Sequence, residues 1–341
     1  MDMTAHGRQS AESLAGKTID AHTHIGVSLK QYAALEYPYA QTAEGLHYRL
    51  LANNLDAACV FPFGPDLHFD LPALLRGQAR ESASPVSPFP YAIENELLMR
   101  EVYEYCPELS HRFIPFLCAD PSRATQRQVE ALGELAHRHP VYGIKILPVY
   151  CQSRITALLD EGRAILDFAE EHGLPLLLHT TADEREPYSH ASLTFRVVRE
   201  NPQLRFCLAH CIGFDRRHLD QAAELGNVWF DTSALTIQCR LAVDNSPVVA
   251  SEASRFPSDY RDPRRVLCDL VQAYPDTILW GTDSPCYAYI CRRAQADGVQ
   301  ECFRLKATYE EEVAALRSLD AAGIQRTANR NTVKFLFGTE G

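Results

Sequence analysis

The sequence predicts an α/β protein in which eight parallel strands close into a single barrel, (β/α)8, wrapped by helices. Three observations lead there. Eight short, mostly apolar runs alternate with longer amphipathic stretches, as strands covered on both faces require. Polar residues of the kinds that carry chemistry end many of these runs, whereas an open sheet would concentrate them at one switch point. No Gly-x-Gly-x-x-Gly follows any run, which counts against a doubly wound sheet. We read residues 1–16 as a polar N-terminal extension and 17–341 as one TIM-barrel domain with long loops at the C-terminal rim, since no internal repeat or linker composition divides the chain.

The elements follow in order. The first strand, 18–26, contains Asp20-Ala21-His22-Thr23-His24, and alternation places His22 and His24 on one face, Ala21 and Thr23 on the other. Helical spacing over 43–54 leads to a strand at 57–62. The loop 63–90, rich in Pro, Gly and Ser, has the length of a lid or pocket wall. A helix at 95–106 precedes the strand 112–118, and a helix at 124–137 precedes the strand 143–147. A continuous amphipathic helix over 155–171, stopped by Gly173, leads to the strand 175–179. The rhythm repeats with helix 192–200 and strand 205–210, then helix 217–225 and strand 228–231. An insertion, 232–262, separates these from helix 264–273 and strand 277–283. Helices over 308–322 and 324–337 finish the chain.

Composition narrows the function. A net charge of −11 without a long block of Lys and Arg excludes a nucleic-acid surface and leaves a small-molecule partner. The eleven cysteines are scattered, and Cys59, Cys118 and Cys207 lie inside apolar runs, as buried thiols of a reducing compartment do. Residues 1–15 lack the apolar segment of a leader, and no apolar run is long enough for a bilayer. The expected setting is therefore the cytoplasm, away from membranes.

In a parallel barrel every strand ends at the same rim, so residues distant in sequence converge there. The predicted rim holds His22, His24, Lys145, His179, His210, Asp231 and Asp283. Several imidazoles plus a carboxylate describe a catalytic site for a divalent ion, most naturally Zn, with Mn, Fe or Co as alternatives. Asp231 either binds substrate, braces a ligand or caps the turn at Thr232-Ser233. Tyr188 and His190 are expected to line the loop after the fifth strand.

Five motifs in this order (Ile19-Asp20-Ala21-His22-Thr23-His24, Gly143-Ile144-Lys145, Leu178-His179, Leu208-Ala209-His210 and Trp280-Gly281-Thr282-Asp283-Ser284-Pro285) resemble the signatures of the amidohydrolase superfamily. Its branch containing aminocarboxymuconate semialdehyde decarboxylase and related hydrolases is the most similar, even to the ending 329–338. The resemblance implies His22, His24, His179 and Asp283 as metal ligands, and His210, with Asp283, as the group that moves protons. It leaves Lys145 either as a cation that attracts a substrate carboxylate or as a carbamate bridging two ions. It also implies a homodimer. The expected activity is a metal-dependent hydrolase using a metal-activated water on an amide, ester or lactone of a small molecule. The alternatives are a nonoxidative decarboxylase of an aromatic or unsaturated carboxylic acid and a catalytically silent, ligand-binding barrel.

Overall fold

The computed structural model describes residues 8–294 and 300–338, and within them the eight strands form one parallel sheet. They are β1 (Ile19–His24), β2 (Ala57–Phe61), β3 (Phe113–Ala119), β4 (Gly143–Ile146), β5 (Leu176–Leu178), β6 (Phe206–Leu208), β7 (Val228–Asp231) and β8 (Ile278–Leu279). Each pairs with the next in chain order. The ring closes beyond the short β8: the Ala21 amide donates to Trp280 O at 3.0 Å, Asp283 N to His22 O at 2.8 Å and His24 N to Ser284 O at 2.7 Å. The expected TIM barrel is the fold.

Period-two alternation explains the core. Cys59, Phe61, Phe116, Cys118, Leu177 and Cys207 fill the barrel interior, while Ala58, Val60, Leu117, Ile144, Ile146 and Leu208 meet the helices outside. Lys145, between Ile144 and Ile146, is thereby turned inward and is fully buried.

Tertiary contacts override the sequence pattern in several places. In β1 the register shifts between Asp20 and Thr23, so Ala21 joins the interior apolar set despite its expected place opposite the histidines. The amphipathic run 155–171 is not one helix. It is a 3-10 turn, Ile155–Leu159, followed by the helix Arg163–Glu171. Gly162 sits at the break, where a Cβ would stand 2.3 Å from Pro121 O, so the close backbone approach interrupts the helix. The run 308–322 likewise divides into Tyr309–Leu316 and Ala321–Gln325, because the Asp320 side chain caps a new start.

The rim insertions carry structure of their own. Segment 232–262 contains the helix Leu235–Val243, and the stretch after β8 forms an antiparallel hairpin of Ala288–Ala294 with Gln300–Lys306. At the opposite end, the side chain of Asn329 donates to Leu14 O and Lys17 O, and Gln9 Nε2 donates to Phe113 O. The described part of the segment read as an extension thus closes the barrel floor; residues 1–7 lie outside the described residues. Among the described residues no helix is long and apolar enough to cross a membrane. The ten described cysteines are unpaired, and Cys302 is the exposed one.

Candidate metal centre

His22 and His24 leave the end of β1 on the same side, and Asp283 reaches them from the turn after β8. Their ligand atoms lie within 4.8 Å of one another. Asp283 Oδ1 is 3.4 Å from His22 Nε2 and 3.3 Å from His24 Nε2. Asp283 adopts a left-handed backbone, φ 60°, while its amide stays bonded to the His22 carbonyl. The opposite ring nitrogens are already committed. His24 Nδ1 donates to Pro62 O at 2.9 Å, and His22 Nδ1 donates to Asp231 Oδ2 at 2.8 Å. Both Nε2 atoms therefore present lone pairs, and they face a carboxylate oxygen. Burial, reinforced by the Lys145 ammonium, lowers His22 to a pKa of about 4, so its imidazole is neutral at neutral pH. Three ligand atoms of these kinds converging within 4.8 Å suit a divalent cation.

Asp231, fully buried at the end of β7, holds this arrangement from behind. Its Oδ1 accepts from the His210 amide at 3.1 Å, from the Ser233 amide at 3.0 Å and from Ser233 Oγ at 2.5 Å. Burial opposes its charge, but His22 above all, with His210 and Lys145, outweighs that and keeps the carboxyl well below its usual range. Two of the roles read from sequence share this one carboxylate: Oδ2 braces His22, and Oδ1 caps the turn at Thr232-Ser233. His210 opens a run of left-handed residues, His210 to Phe214, of which only Gly213 is a glycine. Such backbone costs about 1 kcal/mol or more per non-glycine residue, and it turns the His210 ring toward His179. His210 Nε2 is 3.1 Å from His179 Nδ1, and the ring centroids are 4.8 Å apart. His179 stands outside the three-residue group, one side chain away from it through His210, whose ring centroid is 5.6 Å from that of His22.

Lys145 Nζ lies 3.3 Å from His22 Nε2 and 4.7 Å from the Phe61 ring centroid. Burial pulls its pKa down to about 8 against the pull of Asp231 and Asp283. Above His179 and His210 opens a cavity of about 500 Å³, lined further by Lys30, Tyr150, Gln238 and Tyr289. Tyr150 and Lys30 went unread because they sit on short helices whose positions depend on packing; the only sequence hint for Tyr150 is its place just past the fourth strand. A second cavity, of about 590 Å³ between Leu235–Val243 and Pro263–Ala273, contains none of these histidines. Tyr188 and His190, expected at the pocket, are not among its lining residues. Tyr188 accepts from Ile155 N through its carbonyl, and His190 caps the helix Ala191–Glu200. Loop 63–90 also stays outside the cavity lining; its Asp66 Oδ2 accepts from Ser28 Oγ, while Pro62, just before the loop, holds His24 through its carbonyl.

A parallel barrel whose rim brings a His-x-His pair and an aspartate together in buried surroundings belongs to the class of barrels built to hold a divalent ion. The chain is a member of the amidohydrolase family, whose second family model, described as amidohydrolase, matches residues 19–321. Among curated proteins none matches it by sequence. Solved structures share the fold at low identity. A probable 2-pyrone-4,6-dicarboxylic acid hydrolase from Acinetobacter baumannii, with citric acid bound, is 14% identical with a TM-score of 0.54; the match covers 95% of this chain and 100% of that one. A 5-carboxyvanillate decarboxylase mutant from Novosphingobium aromaticivorans, with manganese and a nitrobenzoic acid bound, is 13% identical with a TM-score of 0.55, covering 96% and 99%. An amidohydrolase from Burkholderia multivorans is 14% identical with a TM-score of 0.56, covering 95% and 99%.

Proposed function

We propose that the chain is a metal-dependent hydrolase that uses an activated water on an amide, ester or lactone of a small molecule. One observation carries the reading: His22 Nε2, His24 Nε2 and Asp283 Oδ1 converge as electron-pair donors at the mouth of a barrel, with the Nδ1 atom of each imidazole held by an acceptor. Zn is the expected ion, with Mn, Fe or Co as alternatives, and it supplies Lewis acidity and a lowered water pKa when bound. In this reading Asp283 also accepts a proton. His179 completes the ligand set in this reading, and Lys145 stays a cation, as its place over the Phe61 ring favours.

A second reading, nonoxidative decarboxylation of a carboxylic acid, draws on Lys30 in the cavity lining and the buried Lys145 cation beside His22, two positive charges suited to a substrate carboxylate. The test is elemental analysis of protein purified without chelator, followed by turnover on panels of lactones, amides and aromatic acids. The expected result is about one ion per chain, lost in His22→Ala, with turnover and no release of carbon dioxide. Carbon dioxide release would favour the second reading. A chain that takes up no metal on reconstitution would overturn both.

A further inference from the structure

His210 Nδ1 faces two oxygens of Ser233, the carbonyl at 3.2 Å and Oγ at 2.9 Å. A carbonyl only accepts, and the Ser233 hydroxyl proton is committed to Asp231 Oδ1, so Oγ too offers His210 only lone pairs. His210 must therefore carry a proton on Nδ1, and a ring with that one proton has Nε2 as an acceptor. The nearest donor to it is His179 Nδ1 at 3.1 Å. We propose that His210 is a positioning residue: the relay Asp231–Ser233–His210 fixes His179 as the Nδ1–H tautomer and leaves its Nε2 lone pair free.

One buried carboxylate thus sets the tautomers of two histidines, His22 directly and His179 through two intervening side chains. The left-handed run from His210 supports the assignment, because strained backbone persists where its surroundings fix a side chain. A ring whose lone pair is already spent on His179 is not free to take a proton from water, so the relay moves His210 away from the role its place in the chain suggests. The inference concerns hydrogen bonds present before any ligand, so it stands or falls separately from the hydrolase reading.

The test is long-range proton–nitrogen correlation of the full chain labelled with nitrogen-15 histidine, as purified and after chelator treatment. In chelated wild type, His179 and His210 should both show a protonated Nδ1 and a bare Nε2. His210→Ala should release His179 into a mixture of tautomers and weaken Zn binding by about 10- to 100-fold in chelator competition. His210→Gln, which can offer an amide oxygen in place of Nε2, should restore most of both. A protonated Nε2 on His179 in wild type overturns the proposal, and this spectrum decides even if the alanine variant fails to fold. An unchanged His179 pattern and Zn affinity in a folded His210→Ala overturns it as well. The expected pattern in a protein without turnover would defeat the hydrolase reading and leave the relay standing.

Discussion

Asp231 and His22 meet at 2.8 Å, Oδ2 to Nδ1, across 209 positions of sequence and without solvent access. The contact fixes where the His22 proton sits, and hence which nitrogen faces Asp283. Asp231→Asn keeps the shape but replaces a pure acceptor with an amide whose NH2 group has no acceptor at His22. Divalent ion affinity should fall about 10- to 100-fold, read by chelator competition, while the melting temperature changes far less than in a variant that empties the position.

Asp283 is both a proposed ligand and the proposed proton acceptor. Asp283→Asn should lower kcat/KM by on the order of 10²- to 10⁴-fold on whichever substrate the panel yields. A wild-type rate with full metal content would remove it from the chemistry.

Gly281 lies against β1, where a Cβ would stand 2.8 Å from His22 Cβ and 3.0 Å from its amide nitrogen. Gly281→Ala should destabilise the fold by about 1–3 kcal/mol and weaken metal binding as β1 shifts, measured by urea unfolding and metal titration. An unperturbed affinity would mean that β1 yields without moving His22.

Glu312 is buried in the helix Tyr309–Leu316, where burial raises its carboxyl to about 8 even though Oε1 accepts from Thr236 N at 3.0 Å. Its folded pKa lies above the ordinary 4.5, so the folded chain holds a proton that the unfolded chain releases between those values. The stability this contributes is full below about pH 4.5 and is lost as pH rises toward 8. Glu312→Gln should therefore gain stability relative to wild type between pH 5 and pH 8, by roughly a few kcal/mol in denaturant titrations. A pH-independent difference would show that Glu312 does not titrate in that range.

The parts of the fold and site that depend on periodicity were legible. Alternation within apolar runs located the eight strands, and the same rule put His22 and His24 together. Asp283 was found because its apolar run ends at the rim. The supporting residues were not legible. Ser233 matters only because Asp231 holds its hydroxyl, Tyr150 only because a four-residue helix carries it over the pocket, and the left-handed run at His210 has one glycine to announce five such residues. The run 155–171 kept helical spacing through a break that comes from Pro121, a residue remote in sequence. Local pattern records which face a residue takes; contacts with distant backbone decide the rest.

The seam of the barrel gives the site a role in assembly as well. The first strand and the segment after the last are joined by the Asp283–His22 and His24–Ser284 backbone bonds, and the three convergent donors straddle this same junction. An ion gripped there would act as a clasp between the first and last strands of the barrel. Its binding energy would count toward holding the cylinder shut, about 2.7 kcal/mol at a hundredfold excess over Kd. A chain cut short before Asp283 would lack the clasp altogether, so ion capture would report that the cylinder had closed.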